Sequence, residues 1–469
     1  MEKYFRKDEV KTLFKKLNSP IDMTQGKPWK SILSFTLPML IGNIAQQLYS
    51  TVDSIVVGNY VGDNALAAVG SVMPILNMLL VLFVGISAGA SIMVSQYFGA
   101  KDREALSHTI GNCITATIIA CAFLIAVALP LLRPLLKVLN TPESIFEWCV
   151  DYLSISIIGV AGMAYYNILS GIIRGLGDSF SALVYLLVAT VVNIVLDIYF
   201  VAVLGMEVGG VALATVISQF ISSALCLLKL SRMKEFFDFG LKYMKPEAKY
   251  IKTVIRLGLP SGLTQAIFSS AMIIVQSLTN QFGEAFIAAN VIIMRVDGFA
   301  MMPNFSFGMA LTTYAGQNVG ANRYDRVIKG AKEGTFMAVA CSTAITMVIL
   351  FLGKYLMALF TETASLVDMS NKLMRILAAG YIAMAVTQSL SGIMRGAGDT
   401  TTPMWISLIT SVAVRVPLAY VISYLTRTPE LPKGIKECIQ ISLLCTWIMG
   451  AVLTFIFYRI GKWKTKAIK

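Results

Sequence analysis

Long apolar runs recur along the whole chain, separated by short segments that collect most of the charged residues. Crossing about 30 Å of hydrocarbon takes roughly 20 helical residues, and these runs are long enough. They are continuous rather than alternating, which favours helices over a barrel. The pattern predicts twelve transmembrane helices, at residues 31–57, 65–95, 109–130, 146–173, 180–204, 208–228, 253–279, 286–314, 331–352, 371–394, 402–425 and 440–458.

Composition supports lipid as the solvent, because 56% of the 469 residues are hydrophobic and only 14% are charged. The net charge of +13 follows from topology: of the Lys and Arg residues, 29 lie in or beside segments assigned to the cytoplasm and 8 in or beside outer ones. By the positive-inside rule we expect a multi-pass protein of a prokaryotic cell membrane with both termini in the cytoplasm. Nucleic-acid binding is not needed to explain the charge.

An internal repeat predicts two related halves. Gly171-Ile-Ile-Arg-Gly-Leu-Gly-Asp-Ser recurs as Gly392-Ile-Met-Arg-Gly-Ala-Gly-Asp-Thr, a shift of 392 − 171 = 221 residues. Each half has an even number of spans, so the halves are expected to be parallel six-helix bundles around a central cleft. The predicted organisation is a basic N-terminal segment (1–30), an N-lobe (31–228), a cytoplasmic linker (229–252), a C-lobe (253–458) and a basic tail (459–469).

The glycine-rich Arg-Gly-x-Gly-Asp segments resemble phosphate-binding loops, but such loops follow a strand and open a helix. Here each segment lies between two predicted spans, so we interpret it as a tight helix-to-helix connection. The seven cysteines show no CxxC spacing, and the only histidine is His108. The sequence therefore predicts no cofactor, no enzymatic site and no structural metal.

Ionisable residues within spans are costly in lipid and mark transport pathways or proton relays. Asp53 in the first span shares a helical face with Gln46 and Tyr49, and Asp197 in the fifth shares one with Asn193. These carboxylates fall at similar predicted depth, and oxygen ligands suit a proton or Na⁺. The alternative is that they only join neighbouring helices through hydrogen bonds.

The second half carries its own charges within spans. Residues two apart do not share a helical face, so Asp297 is expected to pair with Arg415 rather than with Arg295. Both a structural ion pair and a role in gating or substrate contact fit this arrangement. Met302 belongs to a methionine-rich span that suits either an adaptable pocket or ordinary packing.

From about residue 28 to 460 the chain resembles the multidrug and toxin extrusion (MATE) transporters, most closely their DinF-like prokaryotic branch. The matching features are Leu37-Pro38 at the start of the first span, Asp53, the segments after Gln96 and Gln317, and both glycine-rich turns. The resemblance implies export of small organic, cationic or amphipathic compounds by antiport with H⁺ or Na⁺. It implies a cation-coupling set in the N-lobe, namely Asp53, Asn167, Asn193, Asp197 and Thr215.

The same resemblance places Gln46 and Tyr49 on the substrate side and makes Pro38 a position where the first helix bends. We add Met302 to the expected substrate-binding residues, and Asp53 and Asp197 as the ligands if the ion is Na⁺. The expected partners are small-molecule substrates and the lipid bilayer, with the protein acting as a monomer. A flippase for lipid-linked precursors or a metabolite exporter of the same superfamily is the alternative function.

Overall fold

The computed structural model describes residues 19–139 and 141–468, and for residues 48–59, 63, 64, 66 and 67 it describes the backbone only. Within these residues the chain is helical and contains no strand. The helices are α1 (Pro28–Tyr60), α2 (Asp63–Ala100), α3 (Arg103–Val138), α4 (Glu143–Ile158 and Val160–Gly175), α5 (Ser179–Asp197, continued by the π-helix Ile198–Val203), α6 (Glu207–Arg232), α7 (Ala248–Asn280), α8 (Glu284–Gly320), α9 (Tyr324–Ala358), α10 (Ala364–Ala378 and Gly380–Gly396), α11 (Thr401–Leu408, the π-helix Ile409–Val414 and Arg415–Leu425) and α12 (Cys438–Ile460).

The helices have the length and composition of membrane spans. Among the described residues nine are long and apolar enough to cross a bilayer, and the bent helices α4 and α10 add two more. Helix α1, with 33 residues, completes the set. Large apolar side chains such as Phe123, Phe336 and Phe351 stay exposed on these helices, as expected where lipid replaces water. The predicted all-helical membrane fold with twelve spans is confirmed.

The chain divides into two compact units. Among the described residues, the first comprises 19–23, 37–139 and 141–259, and the second comprises 24–36 and 260–468. The unit changes inside α1 and inside α7, next to Pro38 and Pro260, the prolines within these helices. Proline cannot donate a backbone hydrogen bond, so both positions are natural weak points of a long helix.

Each unit brings its repeated glycines against a neighbouring helix. In the first unit Gly171 and Gly175 of α4 face Ser87 and Ser91 of α2, and a Cβ at either glycine would overlap these residues. In the second unit the equivalent glycines of α10, Gly392 and Gly396, face Gly308 and Thr312 of α8 in the same way. Small residues allow such close approach between membrane helices. The repeat in the sequence is therefore a repeat in packing.

The two glycine-rich segments form turns between helices. Gly177 and Gly398 have φ of 95° and 97°, a region that glycine adopts without steric cost. The following aspartates cap the next helix: Asp178 accepts from the Ser181 N–H at 2.8 Å, and Asp399 accepts from the Thr402 N–H at 3.2 Å. Their interpretation as helix-to-helix connections is confirmed.

The segment between α6 and α7 is attached to α3 in the first unit. Arg103 donates to Asp238 Oδ1 at 2.6 Å and to the Glu235 carbonyl at 2.9 Å. Asn112 Oδ1 accepts from the Glu247 N–H at 2.6 Å. The hydrogen bond and charge of the Arg103 guanidinium lower the pKa of the Asp238 carboxyl. This linker is thus held by specific contacts along its length.

Candidate functional site

The first unit buries a polar cluster where α5 and α6 pack together. Asn193 and Asp197 are one helical turn apart on α5, with 1% and 0% of their surface exposed, and Thr215 lies across from them on α6. Asp197 is the last residue before the π-helix Ile198–Val203. Such local changes in helical pitch are frequent at functional sites. The structure thus brings together three of the five residues predicted to couple the cation.

The Asn193 amide forms hydrogen bonds with both of the other residues, Asp197 and Thr215. The surrounding donors and acceptors select the Asn193 amide orientation in which its nitrogen donates to Asp197 Oδ2 at 3.0 Å. Its oxygen then accepts from the Thr215 backbone N–H at 3.2 Å. In the opposite orientation the amide nitrogen would donate to Thr215 Oγ1 at 3.3 Å and the amide oxygen would face the carboxylate. The first orientation links the Asp197 carboxylate to the α6 backbone through the amide.

Asn167, the fourth predicted member, lies on α4 and is half-buried. Its side-chain nitrogen donates to the Met163 carbonyl of its own helix at 2.8 Å. Its backbone carbonyl accepts from Ser87 Oγ at 2.6 Å, which joins α4 to α2. Within the described part of the chain, the Asn167 amide is therefore engaged locally rather than with Asp197.

The side chains of Asp53 and Tyr49 lie outside the described residues, although both positions belong to α1. Gln46 is exposed on the same helix, and Pro38 is half-buried within it. The predicted roles of these four residues stay predictions.

The second unit contains a cavity of about 300 Å³ lined by α7, α8, α10, α11 and α12. Its lining is mixed: apolar side chains such as Phe268, Met294 and Met301 alternate with amides, hydroxyls and charged groups. Ligand pockets in proteins commonly have this volume and composition. Met302 is buried beside the cavity but is not among the lining residues, whereas its neighbour Met301 is.

Asp297 and Arg415 both line this cavity, but they do not form a direct ion pair within the described contacts. The Tyr381 hydroxyl donates to Asp297 Oδ1 at 2.8 Å instead. Arg415 begins the helical segment after the π-helix Ile409–Val414 and is buried. Asp297 and Arg415 thus face the same cavity without a close contact between their charged atoms, and their pairing stays a prediction.

Comparison with known proteins identifies the family to which this fold belongs. The sequence model described as MatE matches residues 38–199 and again 260–421, one copy in each repeat. The chain belongs to the MatE family. It is 28% identical to probable multidrug resistance protein YoeA of Bacillus subtilis strain 168, over 96% of this chain and 97% of that protein. It is 29% identical to probable multidrug resistance protein YpnP of the same strain, over 94% and 97%.

Comparison with solved structures shows that the chain has the fold of this family. A solved structure described as the outward-facing conformation of a multidrug resistance MATE family transporter of the MOP superfamily superposes with a TM-score of 0.87. It shares 24% identity, covering 94% of this chain and 97% of that one. As a MatE protein, the chain is a multi-pass membrane transporter of a multidrug efflux family.

Sequence reasoning missed three residues at this site: Gln440 and Trp447, which line the cavity, and Tyr381, whose hydroxyl donates to the cavity-lining Asp297. The 221-residue shift aligns Tyr381 with Val160, so a polar residue replacing an aliphatic one within a repeat was the available signal. Gln440 lies near the start of α12 and Trp447 two turns further on. Among the described residues, no group of three or more His, Cys, Asp or Glu is arranged to hold a metal ion.

Proposed function

We propose that this MatE protein exports small organic compounds, cationic or amphipathic in character, by antiport with H⁺ or Na⁺ through alternating access. The observation that carries the proposal is the Asn193–Asp197–Thr215 cluster, a fully buried carboxylate on a span with amide and hydroxyl neighbours. The named relatives are multidrug resistance proteins, which supports the substrate class.

A buried carboxylate suits coupling because its charge is expensive away from water. Binding a proton or Na⁺ neutralises the carboxylate while the site is buried, whereas opening the site to water hydrates the carboxylate and allows the cation to leave. The two conformations of a transporter therefore differ in cation affinity, and this difference is what ties ion movement to substrate movement.

The remaining members are assigned by the same proposal. Asp53 supplies a second carboxylate from α1, and Asn167 joins the set as α4 moves. Gln46, Tyr49 and Met302 contact substrate. Pro38 is the point at which α1 bends, consistent with its place at the change of unit. Both termini lie in the cytoplasm.

The test uses inverted membrane vesicles that contain the full chain, with a proton gradient or a Na⁺ gradient imposed separately and a panel of fluorescent organic cations. We expect one of the two gradients to drive uptake and Asp197→Asn to reduce it by at least about tenfold. That loss corresponds to about 1.4 kcal/mol in the activation free energy of gradient-driven uptake. Substrate binding by the purified variant should change much less, because the amide keeps the shape of the carboxylate.

The matched control is Asp151→Asn, which removes one carboxylate from an exposed position on α4. It should transport like the wild type at equal expression. Full gradient-driven uptake by Asp197→Asn would refute the coupling role. Uptake of lipid-linked precursors or metabolites in place of the cation panel would instead favour the flippase or metabolite exporter of the same superfamily.

A further inference from the structure

Three buried polar side chains that line the cavity of the second unit carry atoms that lack a hydrogen-bond partner among the described residues. These atoms are Nε and Nη1 of Arg415, Oε1 of Gln440 and Nε1 of Trp447. The side chains are 5%, 2% and 3% exposed, respectively, and all three line the cavity. Native proteins rarely leave buried polar groups unsatisfied, because such groups lose their hydrogen bonds to water without gaining others. Their convergence on one cavity indicates a place for a ligand.

The charges around the cavity favour an anion. Of the described residues that line it, three are charged: Asp297, Arg395 and Arg415. Two cations face one anion, and the Asp297 carboxylate already accepts from the Tyr381 hydroxyl. The unsatisfied donors belong to a guanidinium and an indole, which can only donate. A cationic ligand would leave these donors unsatisfied.

We propose that this cavity is a binding site for an amphipathic organic carboxylate. The carboxylate accepts from Arg415, whose planar fork of N–H groups matches two carboxylate oxygens, and from the Trp447 indole. Gln440 Nε2 donates to Asn290 Oδ1 at 3.2 Å, so its oxygen is directed to a donor on the ligand. The apolar body of the ligand packs against Phe268 and Met301.

Water alone does not account for these groups as well as a carboxylate does. A buried water needs several polar partners, and one water cannot neutralise the excess positive charge. A bound carboxylate satisfies the guanidinium and the indole together and balances one arginine. Lipidic or aromatic acids fit the mixed lining, whereas small inorganic anions would leave the apolar wall uncovered.

The experiment measures binding of three naphthyl probes to the purified full chain in lipid nanodiscs: 2-naphthylacetate, its isosteric amide 2-naphthylacetamide, and the cationic 2-(2-naphthyl)ethylamine. The wild type should bind the carboxylate at least about tenfold more tightly than the amide, as expected for hydrogen bonds to charged groups. Arg415→Gln should abolish this preference. Trp447→Phe keeps the aromatic packing, removes one donor and should weaken carboxylate binding about fivefold.

Arg295→Gln is the matched control, because Arg295 lies on α8 but is exposed and does not line the cavity. It should keep the wild-type preference. Equal or tighter binding of the amide or the amine, absence of saturable carboxylate binding, or an unchanged preference in Trp447→Phe and Arg415→Gln would each overturn the proposal. The measurement needs no gradient, so it stands or fails separately from the coupling mechanism.

Discussion

The first and second units share a packing scheme but carry opposite chemistry. Gly171 of the first unit and Gly392 of the second occupy equivalent contacts between equivalent helices. The first unit, however, buries the Asp197 cluster, whereas the second directs two arginines into a cavity. Backbone contacts that require glycine leave no freedom to change, while the polar positions between them have diverged.

The repeat shows at which positions the two units have diverged. A shift of 221 residues aligns Asp197 with Leu418 and aligns Arg415 with Ile194. Asp197 and Arg415 therefore each meet an aliphatic residue in the other unit, whereas Arg395 meets Arg174 and Gln440 meets Gln219. Duplication supplied two scaffolds of the same kind, and each scaffold now carries charges that its counterpart lacks. Replacing an acidic residue of the first unit should therefore affect transport differently from replacing one of the second unit.

The largest effect should separate the two acids, Asp197 and Asp297. Asp197→Asn should reduce gradient-driven transport at least about tenfold, whereas Asp297→Asn should retain most of it, because only the first acid belongs to the coupling cluster. Transport per folded molecule in vesicles, at matched expression, measures both.

Tyr381→Phe provides the control for Asp297→Asn, since it removes the hydroxyl that donates to Asp297 and leaves the carboxylate. Its gradient-driven transport should match that of Asp297→Asn. Loss of coupling in Asp297→Asn equal to that in Asp197→Asn would end the distinction between the units.

Sequence reasoning reached the twelve spans and the repeat because both depend on local pattern: apolar length and recurrence. It missed the bends of 49° in α4 and 46° in α10, which depend on tertiary contacts. Gly159 faces Val216 at the first bend, and Gly380 faces Trp447 at the second. These glycines are related by the same 221-residue shift, so the repeat contained a signal for both bends.

The candidate sites were predictable to different degrees. Asn193 and Asp197 share a face because they are four residues apart, and spacing alone places them together. The pairing of Asp297 could not be read in this way, because Tyr381 approaches it from another helix 84 positions away. Unsatisfied groups such as those of Arg415 become visible only when every neighbour is placed.

An intermediate effect should come from the glycine contacts, where the two units differ in what the glycine meets. A Cβ at Gly392 would overlap the Gly308 carbonyl of the backbone, whereas a Cβ at Gly171 would first meet the hydroxyl of the Ser87 side chain. Gly392→Ala should therefore cost roughly 1–3 kcal/mol and Gly171→Ala less. Melting temperatures of the purified variants compare them.

Ser87→Ala is the control, because it removes the hydroxyl that a Cβ at position 171 would overlap. Added to that variant, it should recover part of the lost stability. The explanation would be wrong if Gly171→Ala and Gly392→Ala lowered the melting temperature equally and Ser87→Ala did not change the effect of Gly171→Ala.

The smallest effect concerns the two capping aspartates. Asp178 accepts from Ser181 and also pairs with Lys229, whose Nζ lies 3.1 Å from Oδ2, with 0% and 13% of the two side chains exposed. The described contacts give Asp399 hydroxyl and backbone donors from Thr401 and Thr402 instead of a lysine. An asparagine can still cap, so Asp399→Asn should cost less than about 1 kcal/mol.

Asp178→Asn also loses a charged partner in a buried setting and should cost about 1–2 kcal/mol, read from melting temperatures. A double-mutant cycle with Lys229→Met isolates the ion pair. If the pair carries the difference, Asp178→Asn should cost less in the Lys229→Met background than in the wild type. Additive losses would assign the whole effect to the cap, and the two turns would then be equivalent despite their different partners.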